Sequence, residues 1–237
     1  MIYALEDIRG YDPIAPQRYM ALVGRLPGAV RVGHHLLFEH AGARLLDLLG
    51  VRYLFSSDTL DGRWTPLAAQ AGMTLYRNQA ALPRAFLVYH SQTADSPDES
   101  LTMTLDPAFD FRNRVVLEGE HAPRLQEPPA QPPTVEITRY LPNAMTIAVE
   151  TAQPGLLVVS DPYTPGWVAQ VDGERAAILV ANHAFRAVLV PAGEHTVTFV
   201  YRPVSFTVGA WSSGASISVL LVLLVFGGKR QRQHRSV

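Results

Sequence analysis

The sequence predicts an α+β N-terminal subdomain, then an antiparallel β-sandwich of immunoglobulin-like type, then one C-terminal transmembrane helix. Three observations carry this. Residues 203–228 hold no charged side chain, and Lys229, Arg230, Arg232 and Arg235 follow at once. Residues 134–202 alternate apolar with polar or small residues between turn signals, as half-buried strands do. Residues 1–121 mix helical and strand patterns, and a proline-rich stretch, 122–133, sets them apart from the sandwich.

In the first subdomain, residues 16–25 have helical spacing, with Tyr19, Leu22 and Val23 on one side. Residues 36–49 are also expected to be helical, and Gly50 is well placed to end that helix. Residues 51–56, 73–77, 85–89 and 115–117 read as strands, and 93–100 as a polar loop. Pro123, Pro128, Pro129, Pro132 and Pro133 forbid helix or central strand over 122–133, so that segment is an extended linker. Beyond it, Val135 and Ile137, then Met145, Ile147 and Val149, mark inward positions of two strands. The apolar run 156–159 ends at the turn-rich corner 160–166. Residues 167–171 lead into Asp172-Gly173, the dipeptide most expected at a tight hairpin. Strands over 176–180, 185–190 and 196–201 complete the sandwich, and Val197, Phe199 and Tyr201 share a face of the last.

As helix, residues 203–228 cover about 39 Å, more than a hydrocarbon core of roughly 30 Å. The basic cluster behind them places the tail, 229–237, in the cytoplasm and residues 1–202 outside, and an outside region without cysteine suits a bacterial cell membrane. Yet Met1 to Arg9 has neither a basic n-region nor an apolar h-region to export them. The chain is therefore expected to be the C-terminal part of a longer polytopic protein. Ala210, Gly214 and Ser218 recur every four residues, as do Gly209 and Ser213, which suits packing against other transmembrane helices.

Composition limits the chemistry. A net charge of −1 and a pI near 6.7 argue against nucleic acid as a partner. The chain has no cysteine, so disulfides and thiolate metal sites are excluded. His34, His35, Glu39 and His40 cluster, but the five-residue step from His35 to His40 does not fit a helical zinc motif, and no metal or cofactor is expected. Glu6 and Asp7, followed by Arg9, Tyr11 and Asp12, form an acidic and aromatic group that could approach a sugar or a cation. Most other Asp residues sit where turns need them. No nucleophile elbow, P-loop or dinucleotide fingerprint occurs, so no catalytic residue is assigned. The candidate ligand-binding residues are Asp161, Tyr163 and Trp167 around the corner. A tryptophan at the start of a sandwich strand is ordinarily core, and a sugar-stacking platform is the alternative.

The run Ser160-Asp-Pro-Tyr-Thr-Pro-Gly-Trp-Val-Ala-Gln-Val-Asp-Gly173, with Ala181-Asn-His-Ala-Phe-Arg186 and Val190-Pro-Ala-Gly-Glu-His-Thr-Val197, resembles the C-terminal region of the YfhO family of bacterial membrane proteins. Asp7-Ile-Arg-Gly-Tyr-Asp12, Leu49-Gly-Val-Arg-Tyr-Leu54 and Leu82-Pro-Arg-Ala-Phe86 look like further landmarks in the same order. The resemblance implies a large polytopic protein similar to the GT-C class of lipid-linked-sugar glycosyltransferases. It implies a glycan or polyprenyl-linked sugar as partner, beside the lipid bilayer. The many-helix portion in which such enzymes keep their acidic motif is not in this sequence, so the resemblance transfers no catalytic residue. Two readings follow. One is a non-catalytic extracytoplasmic portion assisting transfer of lipid-linked sugars to cell-envelope polymers. The other is an autonomous membrane-anchored binding or structural module.

Overall fold

Five consecutive residues, Gly155–Val159, are buried on both sides and form the middle of the protein. A strand with no exposed face needs a layer on each side. Leu156 and Val158 point into one hydrophobic core, Leu157 and Val159 into a second. The computed structural model describes residues 8, 16–32, 35–37, 44–60, 62–119, 123, 125 and 127–233.

Along the chain the elements are α1 (Gln17–Val23), β1 (Val30–Val32), β2 (His35–Leu37), α2 (Leu45–Leu48), β3 (Tyr53–Ser56), β4 (Trp64–Gln70), β5 (Met73–Asn78), β6 (Ala85–Val88), β7 (His90–Ala94), α3 (Pro97–Leu105) and β8 (Arg114–Glu118). After the proline stretch come β9 (Thr134–Leu141), β10 (Ala144–Thr151), β11 (Gly155–Val159), β12 (Trp167–Val171), β13 (Glu174–Ala176), β14 (Leu179–Ala181), β15 (Phe185–Val190), β16 (Gly193–Tyr201) and α4 (Val204–Gln233).

Six strands make the central sheet, in the order β6-β11-β15-β14-β8-β7, and five make the outer one, β13-β12-β16-β10-β9. The facing sides share a core of Ala85, Leu87, Leu157, Val159, Val188 and Val190 from the central sheet with Met145, Ile147, Val149, Ala169, Val197 and Phe199 from the outer. A buried hydrogen bond between the hydroxyls of Tyr89 and Thr151, 2.7 Å long, joins the same region. The other side of the central sheet packs on Leu22, Val23, Leu45, Leu46 and Leu48 of the short helices, and on Trp64 and Tyr76 of the small sheet β3-β5-β4. The protein is thus mostly β-sheet, with a few helices and one apolar C-terminal helix.

The central sheet crosses the proline stretch. β6 pairs with β11 through Leu156↔Val88 to Val159↔Ala85, and Ala181 of β14 pairs with Leu117 of β8. β7 and β8 run parallel, with α3 between them in sequence, so one pair departs from the antiparallel rule.

Several sequence expectations change. The expected strand 176–180 is two short strands in different sheets, because the chain passes from the outer to the central sheet at Ala177-Ile178. The expected helix 36–49 is a strand at His35–Leu37, paired with Val30–Val32, and a helix only at Leu45–Leu48. A two-leucine run satisfies either period. Gly50 does follow that helix in the left-handed conformation, φ 68°. The expected loop 93–100 is the end of β7 and the start of α3. Ser96 Oγ accepts the Glu99 amide at 3.2 Å, Pro97 opens the helix, and Glu99 Oε2 accepts the Asp95 amide at 2.7 Å. β4 was not expected, since almost all of it is exposed and no apolar alternation marks it. Asp172 and Gly173, both at positive φ, make the expected hairpin between β12 and β13.

Cutting the backbone inside 127–133 should leave both fragments joined by the β6–β11 and β8–β14 pairs and the apolar cores around them. A protease site inserted at Ala130 tests this: after cleavage in detergent the fragments should co-elute. Separation into two species would contradict the shared sheet.

Candidate functional site

The corner after β11 lies where the two large sheets meet the residues that lead into α4. Arg186 lies on β15 in the same phase as Val188 and Val190, so it faces the core between the sheets, 1% exposed. A guanidinium there loses its hydration, which pulls Arg186 below its ordinary pKa, against the pull of Asp161 and Tyr140. Two kinds of contact offset that cost. Its Nη2 donates to Asp161 Oδ2 at 2.9 Å, and its plane lies over the Trp167 ring at 4.0 Å and the Phe199 ring at 5.2 Å. Nε and Nη1 have no hydrogen-bond partner among the described residues.

Asp161 is itself buried and bridges two cations, because Arg84 Nη1 donates to its other oxygen. Arg84 in turn lies over the ring of Tyr140, 4.9 Å from its centroid. Burial, and next the nearby Asp161 charge, push the Tyr140 hydroxyl above its ordinary pKa. Trp167 also packs on Tyr201, with centroids 5.4 Å apart. A continuous chain of stacked and ion-paired groups therefore runs Tyr201–Trp167–Arg186–Asp161–Arg84–Tyr140.

A β-bulge aims Tyr140. Arg139 pairs with Thr146 but Ile137 with Ile147, so Thr138 is the extra residue. Val135 and Ile137 point to the core before it, and Tyr140, opposite Met145, lies on that same side after it, at the exposed end of the strand. Without the bulge Arg139 would take the inward position.

The same corner is fastened to the start of α4. Gly166 O accepts the Arg202 amide at 2.7 Å, and Asn143 O accepts the Tyr201 amide at 2.9 Å. Gly166 has φ 104°, and a Cβ there would lie 2.9 Å from Tyr201 Cε2 and 3.2 Å from Pro203 Cα. Beside it a cleft of about 480 Å³ is lined by Tyr163, Thr164, Trp167, Arg175 and Ile178 among others. α4 itself is bare: Val204–Leu221 has mean hydropathy 1.4 and none of it is buried. Three of its serines turn their hydroxyls back onto the helix: Ser212, Ser216 and Ser218 donate to the carbonyls of Gly209, Ser212 and Gly214 at 2.8–3.0 Å.

Of the three candidate residues, the structure joins Asp161 and Trp167 through Arg186 and places Tyr163 on the cleft, its amide bonded to Ala184 O at 2.7 Å. Sequence reasoning did not single out Arg84, Tyr140 or Arg186. The legible signal for Arg186 was a charge at an inward position of an otherwise apolar strand. A second cluster lies at the β14–β15 turn. Asn182 and His183 both have positive φ, 46° and 66°. Asn182 exchanges two hydrogen bonds with the backbone of Val116, and His183 Nδ1 lies 3.0 Å from Pro97 O. Burial holds His183 below its ordinary pKa. Arg18 ties the turn down by donating to Glu118 and to His183 O. The His34–His40 cluster and the group from Glu6 to Asp12 fall outside the described residues, apart from the backbone of His35 and Ile8. Among the described residues no three His, Asp or Glu side chains gather as a metal site would need.

Replacing Gly166 by Ala should destabilise the chain by about 1–3 kcal/mol, through positive-φ strain and overlap with Tyr201 and Pro203. Gly173 also has positive φ but open space around it, so Gly173→Ala should cost about 1 kcal/mol or less. Urea unfolding in detergent measures both. Equal costs would contradict the tight seat of the corner on the helix junction.

Residues 114–213 match the family described as bacterial membrane protein YfhO, a continuous span from β8 into α4 that contains the corner. No curated protein and no solved structure matches the chain.

Proposed function

We propose that the chain, a member of the YfhO family of bacterial membrane proteins through residues 114–213, is the extracytoplasmic, non-catalytic C-terminal portion of a polytopic protein that assists transfer of lipid-linked sugars to cell-envelope polymers. One observation carries the reading: the corner 160–167 is hydrogen-bonded to the junction from which α4 leaves the sheet. If α4 spans the bilayer, the cleft beside Tyr163 stands at the membrane surface, where a lipid-linked substrate presents its head group. The stacked sheets act in this reading as an immunoglobulin-like platform.

The candidate residues then divide the work. One face of Trp167 is taken by Arg186, so Trp167 and Asp161 hold the corner in shape. Tyr163 and the cleft lining make the contact with a sugar or phosphate-sugar group. Catalysis belongs elsewhere in the polytopic protein. The rows of small residues on α4, with its unburied surface, favour packing against further membrane helices over an autonomous anchored module.

Topology tests the reading, with residues 1–202 outside and the basic tail inside. This chain contributes no cysteine of its own, so single cysteines are introduced into it against a full-length protein whose other cysteines have been replaced. In the full-length protein in intact cells, Gln70→Cys should react with a membrane-impermeant thiol reagent and Ser236→Cys should not. The reverse pattern would invert the topology, and labelling of both would remove the span.

A further inference from the structure

We infer that the end of the outer sheet nearest α4 is a second lipid contact: the β9–β10 turn, Tyr201 and Arg202 rest in the head-group layer of an anionic phospholipid surface. This rests on the reading of α4 as a membrane span and adds a peripheral contact to it.

Register places the surface. Ala144 pairs with Val200 on one side and with Leu141 on the other, and the Tyr201 amide bonds Asn143 O. The β9–β10 turn therefore ends level with the last residue of β16. From Tyr201 only Arg202 and Pro203 intervene before Val204 opens α4. A span that begins there brings the turn to the bilayer surface with it.

The side chains at this level suit a lipid interface. Tyr140 is 46% exposed, Leu141 39% and Tyr201 40%, and Pro142 is exposed between them. Tyr140 is engaged by Arg84 and Tyr201 by Trp167, yet both keep a large part of their surface, with Leu141 and Pro142, turned to the outside. At an interface a tyrosine ring sits among acyl chains and head groups with its hydroxyl wet.

Charge selects the occupant. Arg139 and Arg202 are exposed at this end, and residues 138–145 and 198–203 contain no Asp or Glu. The exposed carboxylates on the strands of the same sheet, Glu136, Glu150, Glu174 and Glu194, lie away from this end: Glu150 pairs with Glu194, and Glu174 is level with Val197 through Val171. An apolar, cationic edge with its acids held away matches an anionic head-group layer.

Three single-cysteine variants of the full chain test this: Leu141→Cys at the turn, Glu194→Cys at the far end of β16, and Ser213→Cys within α4. Each is spin-labelled and reconstituted in vesicles of phosphatidylcholine and phosphatidylglycerol. The accessibility ratio of oxygen to a water-soluble nickel complex reports depth. Glu194 lies roughly 24 Å along the strand from Tyr201 and should read as water. Leu141→Cys should give a ratio about threefold higher, and Ser213→Cys higher still. A lipid-like value at Ser213 with a water-like value at Leu141 overturns this inference and leaves the span standing. Equal values at Leu141 and Glu194 overturn it too, as unspecific adsorption or none. A water-like value at all three removes the span itself.

Discussion

A buried arginine holds the two large sheets in register. Desolvating Arg186 costs several kcal/mol, and neither the Asp161 pair nor the aromatic faces would offset that singly. Together they come from three places: Asp161 from the corner after β11, Trp167 from β12 and Phe199 from β16. The guanidinium keeps its ion pair and both ring contacts only when the central sheet, the outer sheet and the corner are all in place. Apolar packing supplies most of the stability of such a core, but many sliding arrangements bury similar area. An ion pair and a stack accept few of them, so the specific geometry of the corner follows from this contact.

The consequences reach the helix. With Trp167 fixed beneath Arg186, Gly166 is presented to Tyr201 and Pro203 at a distance no other residue fits, and its carbonyl receives the Arg202 amide. The Thr138 bulge turns Tyr140 toward Arg84, which tethers the neighbouring edge of the sheet to the other oxygen of Asp161. A rigid β-platform therefore meets α4 through hydrogen bonds on both sides of β16 rather than through a free linker.

Much of the second half was legible because its strands obey a simple period. Met145, Ile147 and Val149 face one core, and the Asp172-Gly173 hairpin needs positive φ at both residues. Asp161 and Trp167 could be picked out, but their partner could not: nothing local to Arg186 says which carboxylate 25 residues away it meets. Arg84 is farther still, and Tyr140 faces it because of a bulge that no periodicity marks. The first half misled where short apolar runs fit both periods, as at Leu36-Leu37. The Ser96-Pro-Asp-Glu99 cap is a local helix-start signal inside a segment whose polarity alone suggests a loop. The proline stretch marks a real break in regular structure, yet hydrogen bonding of the central sheet runs across it, and pairing at that separation leaves no trace in either segment alone.

The dependence on Arg186 is tested most directly by a double-mutant cycle over Asp161 and Arg186, using Asp161→Leu, Arg186→Met and both together, with stability read from urea unfolding in detergent. Asp161→Leu leaves a buried cation without its anion and should cost about 3–5 kcal/mol. Adding Arg186→Met should then recover at least about 1 kcal/mol, giving a coupling within the range for groups in direct contact. Strictly additive losses, with the double variant the least stable of the three, would contradict the account.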